Sequence, residues 1–407
     1  MEKVNKCNTG LRLNWNPIRN QTHLFVSLSN DDGFKKSVYM RNLLLSGLLF
    51  CCVASFGQVA TDSIAKKNIF SLGLRGHGGY FLKHSSSLNP IKESYPWGFE
   101  ADIAWQLTGE KAYAFCSCYP RVGVSINYMN FDNGPVLGSA YYGLVYVEPV
   151  FFVPKRFNLS FRIALVGVAF MDRPYDEVSN PANLAYSTYV AFPLALGIGF
   201  NYRVDKHWNL RLGGNYNHIS NGGIKNPNKG LNYPTAHLGF DYSFTPVELK
   251  NRGKVRRPTP EKKNRMELDI GNSLKNATPG NPAQFWIFNT NLQYSRWLHR
   301  STAIAVGTNF EMDNSRRVRI LSSDDPTRSH LRLSFSVGHE FWLGKIQFGQ
   351  HIGFYAFDQF PVNEIWYHRH ELTFQVLPYL YVSFGLKAHL QVADYLDLKI
   401  GYNFNWR

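Results

Sequence analysis

A histidine and a serine stand two residues apart at His218 and Ser220, within the run His-Ile-Ser-Asn-Gly-Gly. The preceding segment, Trp208–Asn217, alternates between apolar and polar residues, which predicts a β-strand. Residues two apart in a strand point to the same face, so the imidazole and the hydroxyl would lie side by side. A base beside a hydroxyl is the start of a site for nucleophilic catalysis. What this pair can do depends on whether that face of the strand meets a protein core, a barrel lumen or lipid.

The composition indicates which kind of face is available. The chain has 407 residues, of which 15% are aromatic and only 18% are charged. After the first 57 residues there is no apolar run of about 18 residues, which argues against membrane-spanning helices. This mixture fits the short alternating strands of a transmembrane β-barrel. The net charge of +15 suggests a polyanionic partner. Lipid phosphates would serve, and because no nucleic-acid-binding motif is present, no nucleic-acid partner is predicted.

The N-terminal residues 1–57 are interpreted as an extension followed by a signal peptide. Residues 1–39 show neither a helix period nor a strand period. Met40 is followed by a basic residue, an apolar run over Leu43–Val53 and small residues at Ser55 and Gly57. These are the parts of a secretory signal, here over residues 40–57, with cleavage after Gly57. Translation from Met1 or from Met40 would lead to export in either case, and the outer membrane is the expected destination.

The rest of the chain divides into two sets of alternating segments. About eight segments fall in residues 66–248 and about eight more in residues 266–407, each long enough to span a membrane as a tilted strand. Between them, residues 249–265 are rich in Lys, Arg and Pro, which predicts a basic linker. The fold class is therefore all-β, a transmembrane antiparallel barrel. Two tandem barrels of about eight strands are favoured over one barrel of about sixteen, and both stay open.

Strand parity decides the environment of the histidine and serine. In the seventh segment, Trp208, Leu210 and Leu212 share a face with His218 and Ser220. In a small barrel the apolar face meets lipid and the polar face lines the interior. The pair should therefore face outward, at the extracellular rim if the first strand starts in the periplasm. Three polar residues facing lipid are costly unless they have a function, and Asn232 of the next strand has the same parity.

This stretch also resembles a known family, the outer-membrane lipid A 3-O-deacylases (PagL-like acyloxyacyl hydrolases). The resemblance spans roughly residues 66–250, and its motif is His218-x-Ser220-Asn221-x-Gly223-x-Lys225-x-Pro227-Asn228-x-Gly230. It implies an eight-stranded barrel with an exterior active site that cleaves an acyl ester of lipopolysaccharide. No cofactor and no metal are implied.

The resemblance also implies roles for single residues. Ser220 would be the nucleophile and His218 the general base, with Asn221 and nearby backbone N–H groups stabilising the oxyanion. The family has an acidic residue fourteen positions after the histidine, where this chain has Asn232. In a serine protease the change from Asp to Asn at the orienting position lowers turnover by about 10⁴, whereas papain-like enzymes work with Asn there. Lys225 and Lys229 would meet lipid A phosphates at headgroup level, or would be ordinary loop charges.

Other candidate sites are weaker. Cys116 and Cys118 are too close for a relaxed disulfide and too few for a metal framework, so they are interpreted as free or stressed thiols in a turn. His368 and His370 share a face but have no third ligand at a usable spacing. His389 ends a segment that resembles the one before Ser220, yet its parity turns it inward.

The sequence thus predicts an outer-membrane serine esterase that acts on lipid A. The alternatives are a non-enzymatic barrel, porin-like or structural, with a degenerate site at Asn232, and an outer-leaflet phospholipase. The sequence does not specify the acyl position that is cut, the role of residues 266–407 or the oligomeric state.

Overall fold

A computed structural model of the chain describes residues 68–407 apart from 92, 154, 250–251, 254–259, 279–282, 362–363 and 391. The predicted N-terminal extension and signal peptide lie outside the described residues. The remainder folds into two closed antiparallel barrels of eight strands each. The tandem arrangement is therefore confirmed over the alternative of one barrel of about sixteen strands.

The first barrel closes by pairing β1 with β8, with Leu72 opposite Tyr242 and Leu74 opposite Phe240. Its strands are β1 (Ile69–Gly79), β2 (Trp97–Gln106), β3 (Tyr119–Asn130), β4 (Ser139–Phe151), β5 (Phe157–Met171), β6 (Val190–Arg203), β7 (Trp208–Ser220) and β8 (Leu231–Ser243).

The second barrel closes by pairing β9 with β16, with Ile270 opposite Ile400. Its strands are β9 (Asn264–Asn276), β10 (Gln284–His299), β11 (Thr302–Asp313), β12 (Leu331–Leu343), β13 (Ile346–Asp358), β14 (Trp366–Gln375), β15 (Leu380–His389) and β16 (Val392–Trp406). Asn264 and Arg265, which the sequence analysis assigned to the linker, already belong to β9.

Both barrels are inverted relative to a soluble protein, with apolar side chains outside and charged side chains inside. Strand β2 shows the pattern, because Phe99 and Ile103 are exposed while Glu100 and Asp102 between them are buried. In the lumen of the first barrel, Asp241 accepts from Arg121 at 2.7 Å and from Arg211 at 3.0 Å. An eight-stranded barrel is just wide enough for side chains to fill, and here ion pairs fill it.

The connections between strands include two short helices that the sequence analysis did not predict. Helix α1 (Glu110–Cys116) lies between β2 and β3, and α2 (Asn314–Leu321) lies between β11 and β12. Cys118 and Cys116, at the end of α1, form a disulfide with a Cα–Cα distance of 5.0 Å. The interpretation of these cysteines as free thiols was wrong, since the turn after α1 brings the two sulfur atoms together. Among the described residues, no helix is both long and apolar enough to cross a membrane.

Candidate active site

The histidine and the serine lie on the outer surface of the first barrel, as strand parity predicts. Along β7, Arg211, Asn215 and Asn217 are buried in the lumen, whereas His218 and Ser220 are half-buried on the opposite face. Ile219, between them, points inward and is 1% exposed. The site is therefore built on the outside of the barrel, at the end of β7.

Asn232 completes a pair with His218 across two strands. β8 begins at Leu231, so Asn232 is a strand residue and lies directly opposite His218. The imidazole Nδ1 lies 2.6 Å from the Asn232 side-chain oxygen. Since that oxygen can only accept, Nδ1 donates to it and the Nε2 atom is left with a lone pair. This is the tautomer that a general base requires.

Ser220 is next to this pair but is not hydrogen-bonded to it. Among the described residues, no hydrogen bond links His218 to Ser220. The two residues lie on one face of a strand, about 7 Å apart along it, so their side chains must lean toward each other to meet. Catalytic hydrogen bonds are often long without substrate and shorten in the complex.

A second histidine, His84, contacts the far side of Asn232. The Asn232 side-chain nitrogen lies 3.0 Å from His84 Nδ1, and His84 Nε2 lies 2.8 Å from the Lys229 carbonyl oxygen. The backbone brings His84 there because Leu82 N donates to Asn232 O at 2.8 Å, which extends the β1–β8 contact beyond the strand. The sequence analysis missed His84, because no local pattern reveals a loop residue 148 positions away from Asn232.

The Asn221 side chain forms its hydrogen bonds within the loops beside Ser220. Its side-chain nitrogen donates to Lys225 O at 2.7 Å and to Ser187 Oγ at 3.2 Å, and its side-chain oxygen accepts from Gly223 N at 3.1 Å. The residue is fully buried. Both amide hydrogens are thus engaged, so this arrangement leaves the Asn221 side chain no free donor for the predicted contact with an oxyanion. Asn221 organises the loop that follows the serine.

Gly230 makes room for the His218 imidazole. Its φ is +76°, and a Cβ atom at this position would lie 2.8 Å from His218 Cε1. A side chain here would strain the backbone and collide with the ring. Its N–H donates to Ala185 O at 2.8 Å, which ties the loop after β7 to the loop before β6.

The lumen side of the same strand ends is packed with apolar and aromatic residues. Phe81, Phe131 and Tyr233 form a cluster with ring centroids 5.7–5.9 Å apart. Ile219 and Leu231, both 1% exposed, belong to the same cluster. The strand ends that carry His218 and Asn232 on the outside are therefore held from the inside by a rigid core.

The remaining predicted residues are placed as follows. Lys229 is exposed and Lys225 is half-buried in the loop after β7, and neither ammonium group forms an ion pair among the described residues. Asp241 lies in the lumen, and Asp205 lies in the turn before β7, where it accepts from the N–H groups of His207 and Trp208 at 2.7 Å. These backbone hydrogen bonds lower the pKa of Asp205. Neither carboxylate lies on the outer face beside His218.

The second barrel contains the other histidines singled out in the sequence. His389 is buried in the lumen, and its Nε2 lies 3.0 Å from Tyr355 Oη, which confirms its inward parity. His368 Nδ1 lies 3.0 Å from His370 Nε2. Within the described part of the chain, no group of three His, Cys, Asp or Glu side chains could hold a metal.

The second barrel also contacts the loop after Ser220. Ile224 O accepts from Gln284 Nε2 at 3.1 Å. Gly222 and Gly223, with φ of +66° and +81°, lie against β16, where a Cβ atom at Gly222 would be 3.0 Å from Leu396 Cβ. A Cβ atom at Gly223 would be 2.8 Å from Asp394 O. The loop therefore packs between its own barrel and the start of β16.

Two family models match the chain. Residues 90–241 match the lipid A 3-O-deacylase (PagL) family, and residues 264–406 match the acyloxyacyl hydrolase C-terminal domain. Together they cover more than half of the chain and all of the motif from His218 to Gly230. The chain belongs to the lipid A 3-O-deacylase family. His84 precedes the segment that the deacylase model matches.

Solved structures with similarity to this lipid A 3-O-deacylase family member are distant. Neisserial surface protein A is 15% identical, with 44% of this chain and 100% of that chain covered and a TM-score of 0.28. A mutant of the Rh. blastica porin is 9% identical, with 83% of this chain and 100% of that chain covered and a TM-score of 0.20. No curated protein matches the chain.

Proposed function

We propose that the protein is an outer-membrane serine esterase that removes an ester-linked acyl chain from lipid A. The observation that carries the proposal is the hydrogen bond of 2.6 Å between His218 Nδ1 and the Asn232 side-chain oxygen, on the outer face of a barrel and two residues from Ser220. A barrel exterior meets acyl chains and headgroups directly, so a nucleophile on that face reaches a lipid ester without a lumen or a lid.

The proposed reaction has two steps. In the first, Ser220 Oγ attacks the ester carbonyl carbon and His218 Nε2 accepts the hydroxyl proton. The tetrahedral intermediate collapses, the lipid alkoxide leaves with the proton from His218, and the acyl chain stays on Ser220. In the second step His218 takes a proton from water, and the resulting hydroxide attacks the acyl-serine. The fatty acid is released as the bond to Ser220 Oγ breaks, and His218 returns the proton to that oxygen. Asn232 holds the imidazole in place throughout, through a carbonyl oxygen as in papain-like enzymes.

Oxyanion stabilisation is assigned to the backbone of the loop that follows Ser220. The Asn221 side chain is engaged elsewhere, but the consecutive positive φ angles at Gly222 and Gly223 turn the chain sharply beside the serine. The N–H groups of Asn221 and Gly223 are bonded to the side-chain oxygens of Asn228 and Asn221, so the proposal uses the N–H of Gly222 as the oxyanion donor. Lys225 and Lys229 in the same loop provide ammonium groups for the phosphates of lipid A, which also fits the net charge of +15.

Of the two alternatives, a porin-like function gains no support from the lumen. Arg75, Arg211 and Asp241 are each less than 4% exposed and form ion pairs across the first barrel. A phospholipase would use the same exterior site, and only the substrate tells it apart from a deacylase.

The experiment compares lipid A from cells with the protein, without it, and with the Ser220→Ala variant. We expect mass spectrometry to show loss of one acyl chain with the wild type alone, since removal of a serine nucleophile lowers turnover by about 10⁶. Tyr216→Phe is the matched control, because it removes a hydroxyl from the same face of β7 and should leave the activity intact. Identical lipid A from all cells would contradict the proposal.

The purified protein separates the two lipid substrates. Detergent micelles containing either lipid A or a phosphatidylethanolamine provide the two arms, and released fatty acid is measured. Release from the phospholipid alone would replace the deacylase proposal with a phospholipase.

A further inference from the structure

We propose that His84 is a positioning residue that sets the orientation of the Asn232 amide and, through it, the tautomer of His218. The inference rests on the proposed function. It concerns a problem that arises because this chain has Asn232 where its family has a carboxylate. A carboxylate presents an acceptor in either orientation, whereas an amide presents an acceptor at one end and a donor at the other.

The chain of contacts starts at a fixed acceptor. His84 Nε2 lies 2.8 Å from the Lys229 carbonyl oxygen, so Nε2 carries the proton. In neutral His84, Nδ1 then has a lone pair and must accept. The Asn232 side-chain nitrogen lies 3.0 Å from it and donates. His84 Nδ1 also lies 3.4 Å from the Leu82 carbonyl oxygen. This contact is longer than the one to Asn232, and a carbonyl oxygen has no proton to donate.

With its nitrogen committed to His84, the Asn232 amide must turn its oxygen toward His218. The distance of 2.6 Å between that oxygen and His218 Nδ1 makes Nδ1 the donor. His218 Nε2 is therefore unprotonated and free to accept the proton of Ser220. The Lys229 carbonyl oxygen thus fixes which atom donates at each contact, first at His84, then at Asn232 and finally at His218.

The reverse orientation shows why a histidine is needed here. With the amide flipped, its nitrogen would face His218 Nδ1, which would have to accept, and the proton would move to Nε2. That tautomer cannot act as a base. The amide oxygen would then face His84 Nδ1, and His84 would have to donate from both ring nitrogens. Only imidazolium can do so. Neutral His84 thus excludes the unproductive orientation.

The test is a double-mutant cycle between position 84 and position 232. His84→Phe keeps a ring but removes both hydrogen-bonding atoms. His84→Gln is the matched control, because its carbonyl can accept from Asn232 while its NH₂ group donates to Lys229 O. Asn232→Asp is isosteric and presents an acceptor in either orientation, which makes the lock unnecessary.

We expect His84→Phe to lower kcat by about tenfold or more, within the roughly 10⁴-fold loss that the wrong tautomer causes in a serine protease. His84→Gln should stay within about threefold of the wild type. In the Asn232→Asp background, His84→Phe should change kcat by less than about twofold. The carboxylate of that variant can accept from His218 in either orientation, so the energetic coupling between positions 84 and 232 should disappear. An equal loss in both backgrounds would assign His84 a merely structural role and overturn the inference.

A second readout does not need activity. In protein labelled with ¹⁵N-histidine and held in micelles, the His218 signals, identified by their loss in His218→Gln, report which ring nitrogen carries the proton. We expect a proton on Nδ1 in the wild type and in His84→Gln, and a shift toward Nε2 in His84→Phe. A proton that stays on Nδ1 in His84→Phe contradicts the inference. If the tautomers behave as expected but the wild type releases no acyl chain, the positioning role stands and the esterase proposal fails.

Discussion

At the scale of single residues, Asn221 shows that a neighbour of the proposed nucleophile in sequence can serve to order a loop. It follows Ser220 directly, yet its amide donates to Lys225 O and Ser187 Oγ, and it accepts from Gly223 N. One buried side chain thereby satisfies three polar groups of two loops.

We predict that Asn221→Ala lowers the free energy of unfolding by about 1–3 kcal/mol, because it leaves buried polar groups without partners. The activity should fall with the loss of loop order. Unfolding in urea and acyl release from lipid A are the two measurements. An oxyanion donor would behave differently, with a fall of about 10²–10³ in kcat and unchanged stability, and that result would restore the original assignment.

The residues of the site differ in how far the sequence could reveal them. His218, Ser220 and Asn232 share a parity that alternation makes visible, and the structure places all three on the outer face. His84 lies in a loop, and its contact with Asn232 depends on how the segment after β1 continues along β8. The hydrogen bonds of Asn221 could not be predicted, because the motif specifies a neighbour of Ser220 but not the direction of its side chain.

At the scale of elements, the loop after β7 acts as a holder for the imidazole. Gly230 closes this loop with a φ of +76°, next to His218. The loop is fastened to the segment before β6 through Lys229 N and Gly230 N, which donate to Leu184 O and Ala185 O. The position of the ring therefore depends on two loops as well as on its own strand.

Gly230→Ala should lower kcat by about 10–100-fold, because the new Cβ atom meets His218 Cε1 at 2.8 Å and displacement of a catalytic group by about 1 Å can cost 10²-fold. Gly214→Ala, on β7, is the control, since its Cβ atom would lie 3.4 Å from Thr235 O, in ordinary contact. Equal activity of the two variants would show that the ring tolerates movement.

The strands themselves were predictable from alternation, because each faces lipid on one side and a polar lumen on the other. The start of β8 at Leu231 is harder to predict, because Leu231–Tyr233 alternate but lie beside a loop rich in Gly, Asn and Pro. Helices α1 and α2 were not predicted, because each is a single short turn region between strands.

At the scale of the whole molecule, buried ions hold each barrel together. Asp241 contacts three guanidinium groups in the first lumen, those of Arg75, Arg121 and Arg211, at 2.7–3.2 Å. The charges are satisfied only as a network, so the lumen functions as a polar core.

Asp241→Asn should lower the free energy of unfolding by about 3–5 kcal/mol, because it leaves buried cations without their shared anion. Glu248→Gln is the matched control. It breaks an ion pair with Lys206 whose side chains are 68–69% exposed, and we expect no measurable change. Urea unfolding of the refolded barrel measures both, and similar values for the two variants would argue against a polar core.

The division into two barrels could be predicted only in part. The Lys- and Arg-rich segment between the two sets favoured tandem barrels, but strand pairing decides the matter, and closure of β1 on β8 depends on contacts between distant residues. The contact of the loop after Ser220 with β16 was not predictable either, since nothing local in Gly222 or Gly223 indicates a partner from the other end of the chain.

That contact gives the order of synthesis a meaning. The loop beside Ser220 rests on Leu396 and Asp394 of β16, a strand that is synthesised after the whole first barrel. The first barrel contains every residue proposed for the chemistry, yet the loop beside Ser220 acquires its full support only when β16 is in place. If the proposed esterase activity holds, the site would thus mature only after both barrels have formed.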